Sequence, residues 1–180
     1  MSLSDEPYIS HRKNLKLIEN KVTLLTSDHS ELSTKQKFLV DYFESKTAGK
    51  RLACRADLEP AEIVPYLPNV ILFDLIVENN MLVDAIVRLV GTGAADFYGE
   101  YTGHSINSDF FKESLAEASE RFSSEARVML KERSSLTTIT EQLCDDMPHI
   151  QIRTLKVPFS EDGVDIDMIF MYLEVSSLSD

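Results

Sequence analysis

The stretch RLVGTGAADFYGEYTGHSI, residues 88–106, holds four of the six glycines of the chain. Gly91-Thr92-Gly93 comes directly after a run that is typical of a β-strand. Glycines between a strand and a helix often form a phosphate-binding loop. The alternative is that these glycines shape the backbone, through a positive φ or through close approach of two segments.

The residues around the glycines argue against a nucleotide site. The dinucleotide fingerprint requires Gly-x-Gly-x-x-Gly at the start of a long helix. Here the third glycine position is Asp96, whose carboxylate would repel a pyrophosphate. Gly99 ends the predicted helix after about two turns, and no lysine follows the glycines as a Walker motif requires. We therefore interpret the glycines as joints of the fold.

The composition is typical of a globular chain with an acidic surface. The chain has 180 residues, 43% of them hydrophobic, and a net charge of -12. Such a surface repels phosphate backbones and anionic lipids, so we expect neither a nucleic-acid nor a membrane partner. The chain has no apolar signal core and no apolar run long enough to span a bilayer, which predicts a cytoplasmic protein.

The hydrophobic pattern predicts an N-terminal helical extension over residues 1–50 and a second domain over residues 51–180. One helix is expected within residues 8–25 and another over residues 33–48. Asp57 and Pro60 predict the start of a further, short helix. In the second domain, the pattern predicts a long helix over residues 112–132 and five strands, at residues 69–78, 82–90, 136–144, 150–159 and 164–175. This order favours an α+β fold, with an antiparallel sheet and helices over one face.

The apolar faces of the first two strands coincide best if a three-residue loop at residues 79–81 joins these strands. That loop pairs Phe73 with Val87 and Leu75 with Ala85, and it places charged residues such as Asp74 and Arg88 on the other face. The other face also carries apolar residues, so we expect helix 33–48 to cover it. Because the covering helix belongs either to the same subunit or to a partner, we predict a homodimer that uses this helix and the outer sheet face.

A strand, a small helix and the run FYGEYTGHSI follow one another at residues 82–106. This arrangement resembles the part of PAS domains in which the second strand leads into a short helix. The run from Pro60, with RLVGT and the later TG, is similar to a bacterial branch of single-PAS-like proteins. The resemblance covers residues 55–175 and implies a five-stranded antiparallel sheet with helices over its inner face. The N-terminal helical extension lies outside the resemblance. PAS domains are chiefly sensory and interaction modules in signal transduction; many enclose a small ligand, and many dimerise.

The predicted inner rows of the sheet and helices would line any pocket between them. We expect nine side chains to contact a ligand: Phe73, Leu75, Val87, Leu89, Phe97, Tyr98, Phe110, Phe170 and Tyr172. The same residue types at these spacings are also typical of a filled core. Two functions therefore stay open. One is a sensor that binds a small ligand and signals through protein partners; the other is a ligand-free interaction or dimerisation module.

The chemistry-bearing residues do not form a recognisable catalytic or metal-binding set, so we expect no enzyme and no metal site. The resemblance raises haem and flavin as cofactors. Haem in such domains is held by a histidine on a helix, and no predicted helix of the second domain carries one of the four histidines. Covalent flavin requires a cysteine in an Asn-Cys-Arg-like motif, which neither Cys54 nor Cys144 provides. The sequence argues against both cofactors and leaves the ligand unknown.

Overall fold

The computed structural model describes residues 16–25, 29–49, 51–144 and 147–178. Within these residues the fold is α+β, with a six-stranded antiparallel sheet in the order β1-β4-β5-β6-β2-β3. The strands are β1 (Lys16–Leu24), β2 (Val70–Glu78), β3 (Met81–Val90), β4 (Leu136–Cys144), β5 (Met147–Phe159) and β6 (Met168–Ser177). The α-helices are α1 (Thr34–Thr47), α2 (Thr92–Tyr98) and α3 (Asp109–Glu132).

Strand β1 is a correction to the predicted helical extension. Residues 16–24 form the sixth strand of the sheet and pair along their length with β4, from Lys16 opposite Leu143 to Leu24 opposite Leu136. Pairing gives the exposed edge of β4 a hydrogen-bonded partner, which a helix could not supply. Residues 8–15 lie outside the described part of the chain. The division of the chain at residue 50 stays a prediction.

Each face of the sheet packs against a different helix over part of its area. One face packs against α1 in a core that contains Leu39, Phe43, Leu72, Phe170 and Tyr172. The other face packs against α3 in a core that contains Phe73, Val87, Phe122, Met129 and Ile169. Helix α1 thus covers Leu72 of the predicted outer face within the same subunit, whereas Ile76 of that face is 42% exposed and Val90 packs into the core under α3.

Helix α1 begins directly after its N-cap residue, Ser33. Ser33 accepts a hydrogen bond from the Gln36 amide at 3.1 Å, and the Gln36 side chain accepts from the Ser33 amide at 3.1 Å. This capping box satisfies two N–H groups at the start of the helix. The Ser33 hydroxyl also donates to Glu174 of β6, so the cap fixes the helix to the sheet that it covers.

The β2–β3 hairpin has the predicted pairing but a different turn. Phe73 lies opposite Val87 and Leu75 opposite Ala85, as predicted. The connection is a two-residue turn at Asn79 and Asn80, with φ of 51° and 61°, rather than a three-residue loop. The extra residue is accommodated by a bulge after Ile76, which restores the matching faces.

The helix predicted to start at Asp57 is absent from the described residues. Three separate 3₁₀ turns occupy this region instead, at Arg55–Asp57, Pro60–Glu62 and Leu67–Asn69. Prolines at residues 60, 65 and 68 lack the N–H that a continuous helix needs, so only single turns form.

Gly91 confirms the interpretation of the opening stretch as a joint. Its amide donates to the Val70 carbonyl at 2.7 Å. A Cβ at this position would lie 2.3 Å from the Leu67 carbonyl oxygen and 2.5 Å from that of Pro68. Only glycine allows β3 to pass this closely to the turn that precedes β2. Eight residues later, Gly99 ends α2 with a φ of 103°.

Candidate functional site

A cavity of about 80 Å³ lies between α3 and the inner face of the sheet. It is larger than the space that one water molecule occupies and smaller than the 150 Å³ cavity that holds benzene in an engineered protein. Its apolar side is formed by Ile71, Phe73, Val87, Val90, Ile106, Phe111, Phe122, Ile152 and Met171. Its polar side is formed by Tyr98, Arg121, Glu125, Thr138, Thr140, Gln142, Thr154 and Lys156.

A buried ion pair lies in the cavity wall. The Lys156 ammonium of β5 lies 2.9 Å from the Glu125 carboxylate of α3, and the two side chains are 4% and 8% exposed. Burying two charges costs several kcal/mol per ion unless they pair and form further hydrogen bonds. Lys156 forms one such bond, donating to the Thr154 hydroxyl at 2.8 Å. The pair therefore connects the helix to the sheet directly at the cavity.

Threonines of β4 and β5 continue this polar network. Thr154 and Thr138 share a hydrogen bond of 2.6 Å between their hydroxyl oxygens. Only one of the two hydroxyl hydrogens makes this bond, so the hydrogen of the other hydroxyl remains available to donate. Thr140, the next residue of β4 on the same face, donates to Asn20 of the edge strand β1 at 2.9 Å.

Gln142 is the least satisfied group of the lining. It is 3% exposed, and its side-chain oxygen has no hydrogen-bond partner among the described residues. A buried amide oxygen without a partner costs about 1–3 kcal/mol. Such a group in a cavity wall is where a ligand or a bound water would contribute a hydrogen bond.

Tyr98 and Arg121 complete the polar side of the cavity. Burial raises the pKa of Tyr98 to about 12, so its phenol is protonated at neutral pH. Both Arg121 and Glu125 act electrostatically on this phenol. The Arg121 side chain is 21% exposed, and the nearest carboxylate oxygen of its ion-pair partner, Glu117, is 3.7 Å away.

Helix α3 is not continuous where it borders the cavity. Leu115, which lines the cavity, has a φ of -132° and a ψ of 33°, outside the helical range. Ser108 caps the start of the helix by accepting from the Phe111 amide at 3.2 Å. The first turns of α3 are thus fixed at the cap and change direction at the cavity wall.

The structure brings three of the nine predicted contact residues to the cavity. Phe73, Val87 and Tyr98 line it. Leu75 packs into the same core but does not reach the cavity wall. Phe110 also borders this core, with its ring stacked on His104 at a centroid distance of 4.4 Å.

The structure places the other four predicted residues elsewhere. Phe170 and Tyr172 lie in the core under α1, because neighbouring residues of β6 alternate and it is Ile169 and Met171 that face α3. Leu89 is 44% exposed, because a bulge between Leu72 and Phe73 in the β2–β3 pairing reverses the side-chain direction.

Phe97 is the fourth of these residues. It packs in a small separate cluster with Ile150 and Ile152. The assignment of Leu89, Phe170 and Tyr172 to the inner row was therefore wrong, and Phe97 lies beside the cavity rather than in its wall.

The polar lining was not predicted from the sequence. Thr138, Thr140 and Gln142 alternate along β4, and Lys156 lies between the apolar residues Leu155 and Val157 of β5. Polar residues at every second position of a buried strand indicate a polar space on one face. This polar alternation is the sequence signal for the polar side of the cavity, and the apolar rows of the other strands do not show it.

Comparison with known proteins identifies no family: no family model, curated protein or solved structure matches the chain. Among the described residues, no helix is long and apolar enough to cross a membrane. In the same part of the chain, no group of three or more histidine, cysteine or acidic side chains is placed to hold a metal ion.

Proposed function

We propose that this chain is a PAS-like sensory module that binds a small ligand in the cavity and signals through protein partners. In this proposal it acts as a homodimer in the bacterial cytoplasm and is a binding module rather than an enzyme. The cavity would hold the ligand, and α3 and the sheet would transmit its presence.

The observation that carries the proposal is an unsatisfied polar atom in the polar wall of the cavity between α3 and the sheet. Gln142 has an acceptor without a partner among the described residues, and the cavity beside it has room for a small molecule. A core evolved only for stability would fill such a space with apolar side chains or satisfy its polar groups. The polar lining thus favours a ligand over the alternative, a ligand-free interaction module with a filled core.

The kink at Leu115 supports a route for the signal. A ligand in the cavity would contact the wall at which α3 departs from helical geometry. A ligand that binds one arrangement of this helix better than another shifts the population toward it. Partner proteins would then detect the change at the outer surface of α3.

Native mass spectrometry of freshly purified protein tests the proposal. We expect a small co-purifying mass with the wild-type chain. Ala118 lines the cavity, so Ala118→Leu should fill part of the space and remove that mass. Ala116→Leu adds the same side chain at an exposed position of α3 and should retain the mass. Wild-type protein without any co-purifying mass would favour the ligand-free interaction module.

A further inference from the structure

The charges of the cavity wall determine which class of ligand it accepts. Arg121 and Lys156 are cationic and Glu125 is anionic, so the lining carries one positive charge in excess. We propose that the cavity binds a small organic monoanion, a monocarboxylate whose carboxylate contacts Arg121 and whose apolar part lies against β2 and β3. This inference rests on the proposed function and specifies its ligand.

Arg121 is the cation best placed to bind the anion. Lys156 already contacts Glu125 at 2.9 Å and Thr154 at 2.8 Å. The partner of Arg121, Glu117, is exposed and 3.7 Å away, beyond hydrogen-bond distance. A guanidinium that is largely removed from water and has a weak partner binds a carboxylate through two parallel hydrogen bonds.

The hydrogen-bond donors of the wall also fit a carboxylate. The Tyr98 phenol is protonated at neutral pH and is therefore a hydrogen-bond donor for a carboxylate. The Thr138–Thr154 pair retains one hydroxyl hydrogen beyond the bond that joins them. Gln142 instead presents an unsatisfied acceptor, which suits a ligand hydroxyl or a bound water and does not suit a carboxylate oxygen.

The size of the cavity limits the length of the ligand. A volume of about 80 Å³ is roughly half that of the cavity that holds benzene, which corresponds to an acid of about two to four carbons. A dicarboxylate would bring a second negative charge that no further cation of the described lining balances. An organic cation would face the excess positive charge of the wall.

Methyl NMR of isoleucine-labelled protein tests the inference. Ile71, Ile106 and Ile152 line the cavity and report its occupation. Acetate, propionate and lactate are each titrated beside their amides, which have nearly the same shape without the charge. We expect the carboxylates to shift these methyl signals and to bind at least about tenfold more tightly than the amides.

Two matched variants identify the residue that carries the effect. Arg121→Gln should weaken propionate binding by about ten- to a hundredfold and leave propionamide binding unchanged. Arg127→Gln removes the same charge from an exposed position of α3 and should leave propionate binding unchanged.

The outcomes separate this inference from the proposed function. If propionamide binds as tightly as propionate, or if both arginine variants behave alike, the carboxylate inference is wrong while a small-ligand site remains. If no compound shifts the methyl signals of folded protein, the carboxylate inference is also wrong. The mass that co-purifies in native mass spectrometry then decides the proposed function independently.

Discussion

Lys156 shows at the scale of one residue how the cavity wall affects stability. Its ammonium is buried and paired with Glu125 at 2.9 Å. Lys156→Met leaves the carboxylate buried without its partner, so we expect the free energy of unfolding to fall by about 3–5 kcal/mol. In the double variant with Glu125→Leu both charges are absent, and most of this loss should be recovered. Urea unfolding of the two single variants and the double variant measures the coupling.

An exposed ion pair of the same sheet is the control for that experiment. Arg88 and Asp74 contact each other at 2.8 Å across the β2–β3 hairpin, as predicted, and both side chains are well exposed. We expect Arg88→Ala to cost no more than about 1 kcal/mol. Strictly additive losses at Lys156 and Glu125, or an equal loss at Arg88, would contradict a special role for the buried pair.

Asp57 links the stability of the fold to pH. Two hydrogen bonds from Arg51, at 2.6 and 2.8 Å, and one from the Cys54 amide hold the pKa of its carboxyl well below the ordinary range. The carboxylate is thus favoured in the folded state, and its contribution is complete above the unfolded pKa near 4. It is lost as the pH falls below that value toward the lower pKa of the folded state.

The variant Asp57→Asn tests this dependence. We expect it to lower the free energy of unfolding by about 1–3 kcal/mol at pH 7, since hydrogen bonds to a charged group are removed. The deficit should shrink as the pH falls from 4 to 2, because the wild-type contribution disappears there. Urea unfolding at pH 7, 4, 3 and 2 measures it, and a deficit that does not change with pH would show that the carboxylate charge is irrelevant.

Among the elements, the sequence did not predict the type of β1 or of the three 3₁₀ turns between Arg55 and Asn69. Leu15, Ile18 and Val22 have helical spacing, yet Ile18, Val22 and Thr23 are also β-branched residues that favour strands. The local pattern does not distinguish a helix from a strand. Residues 16–24 form a strand because they pair with the edge of β4, which would otherwise have no partner. The end of α3 and both bounds of β4 were predictable, because a long amphipathic stripe and a Gly-free alternating run each fit one structure only. Helix α3 begins at Asp109, three residues before its predicted start.

Hydrogen exchange distinguishes a strand from a helix at residues 16–24. In an edge strand every second amide points to its neighbour, so we expect alternating protection along β1, with the other amides exchanging rapidly. In α1, where Ser33 caps a continuous helix, protection should not alternate beyond the first turn. Uniform protection of consecutive amides in residues 16–24 would contradict the strand.

The close approach of the backbone at Gly91, between β3 and α2, leads to a second prediction at the scale of elements. Gly91→Ala places a Cβ 2.3 Å from the Leu67 carbonyl oxygen, which belongs to backbone and has little freedom to move. We expect a loss of about 1–3 kcal/mol in the free energy of unfolding. Gly93→Ala is the control. Its nearest contact is the flexible Asn69 side chain, and alanine favours the helix by about 0.5–1 kcal/mol. Equal losses at the two positions would contradict the close-approach explanation.

For the whole molecule, central strands that are buried on both faces limit what the sequence can predict about the site. The first six residues of β6 are all buried, so no alternation shows which face Phe170 or Tyr172 occupies. In β2 and β3 the charged residues Asp74 and Arg88 mark one face, and Phe73 and Val87 were placed correctly. The sequence therefore predicts the side-chain direction only in strands that have one solvent-exposed face. In β6, the direction of Phe170 and Tyr172 follows from their packing against α1, which the sequence does not show.

The proposed homodimer is a prediction at this largest scale. Helix α1 covers much of the outer face within its own subunit, yet apolar side chains on the same side stay exposed. Phe38 of α1 is 42% exposed, and Leu89, on the same face as Leu72, is 44% exposed. Exposed apolar side chains on the same side of a domain are found at many protein interfaces.

Charge substitutions on this side test whether it forms the dimer. We expect sedimentation velocity at micromolar concentration to show a dimer for the wild-type chain and a monomer for Phe38→Glu and Leu89→Glu, since a buried unpaired carboxylate opposes association. Val128→Glu is the control, because Val128 is exposed on α3 at the opposite face of the sheet and should remain outside the interface. A wild-type monomer, or dissociation by Val128→Glu alone, would show that the dimer does not form through α1 and the outer face.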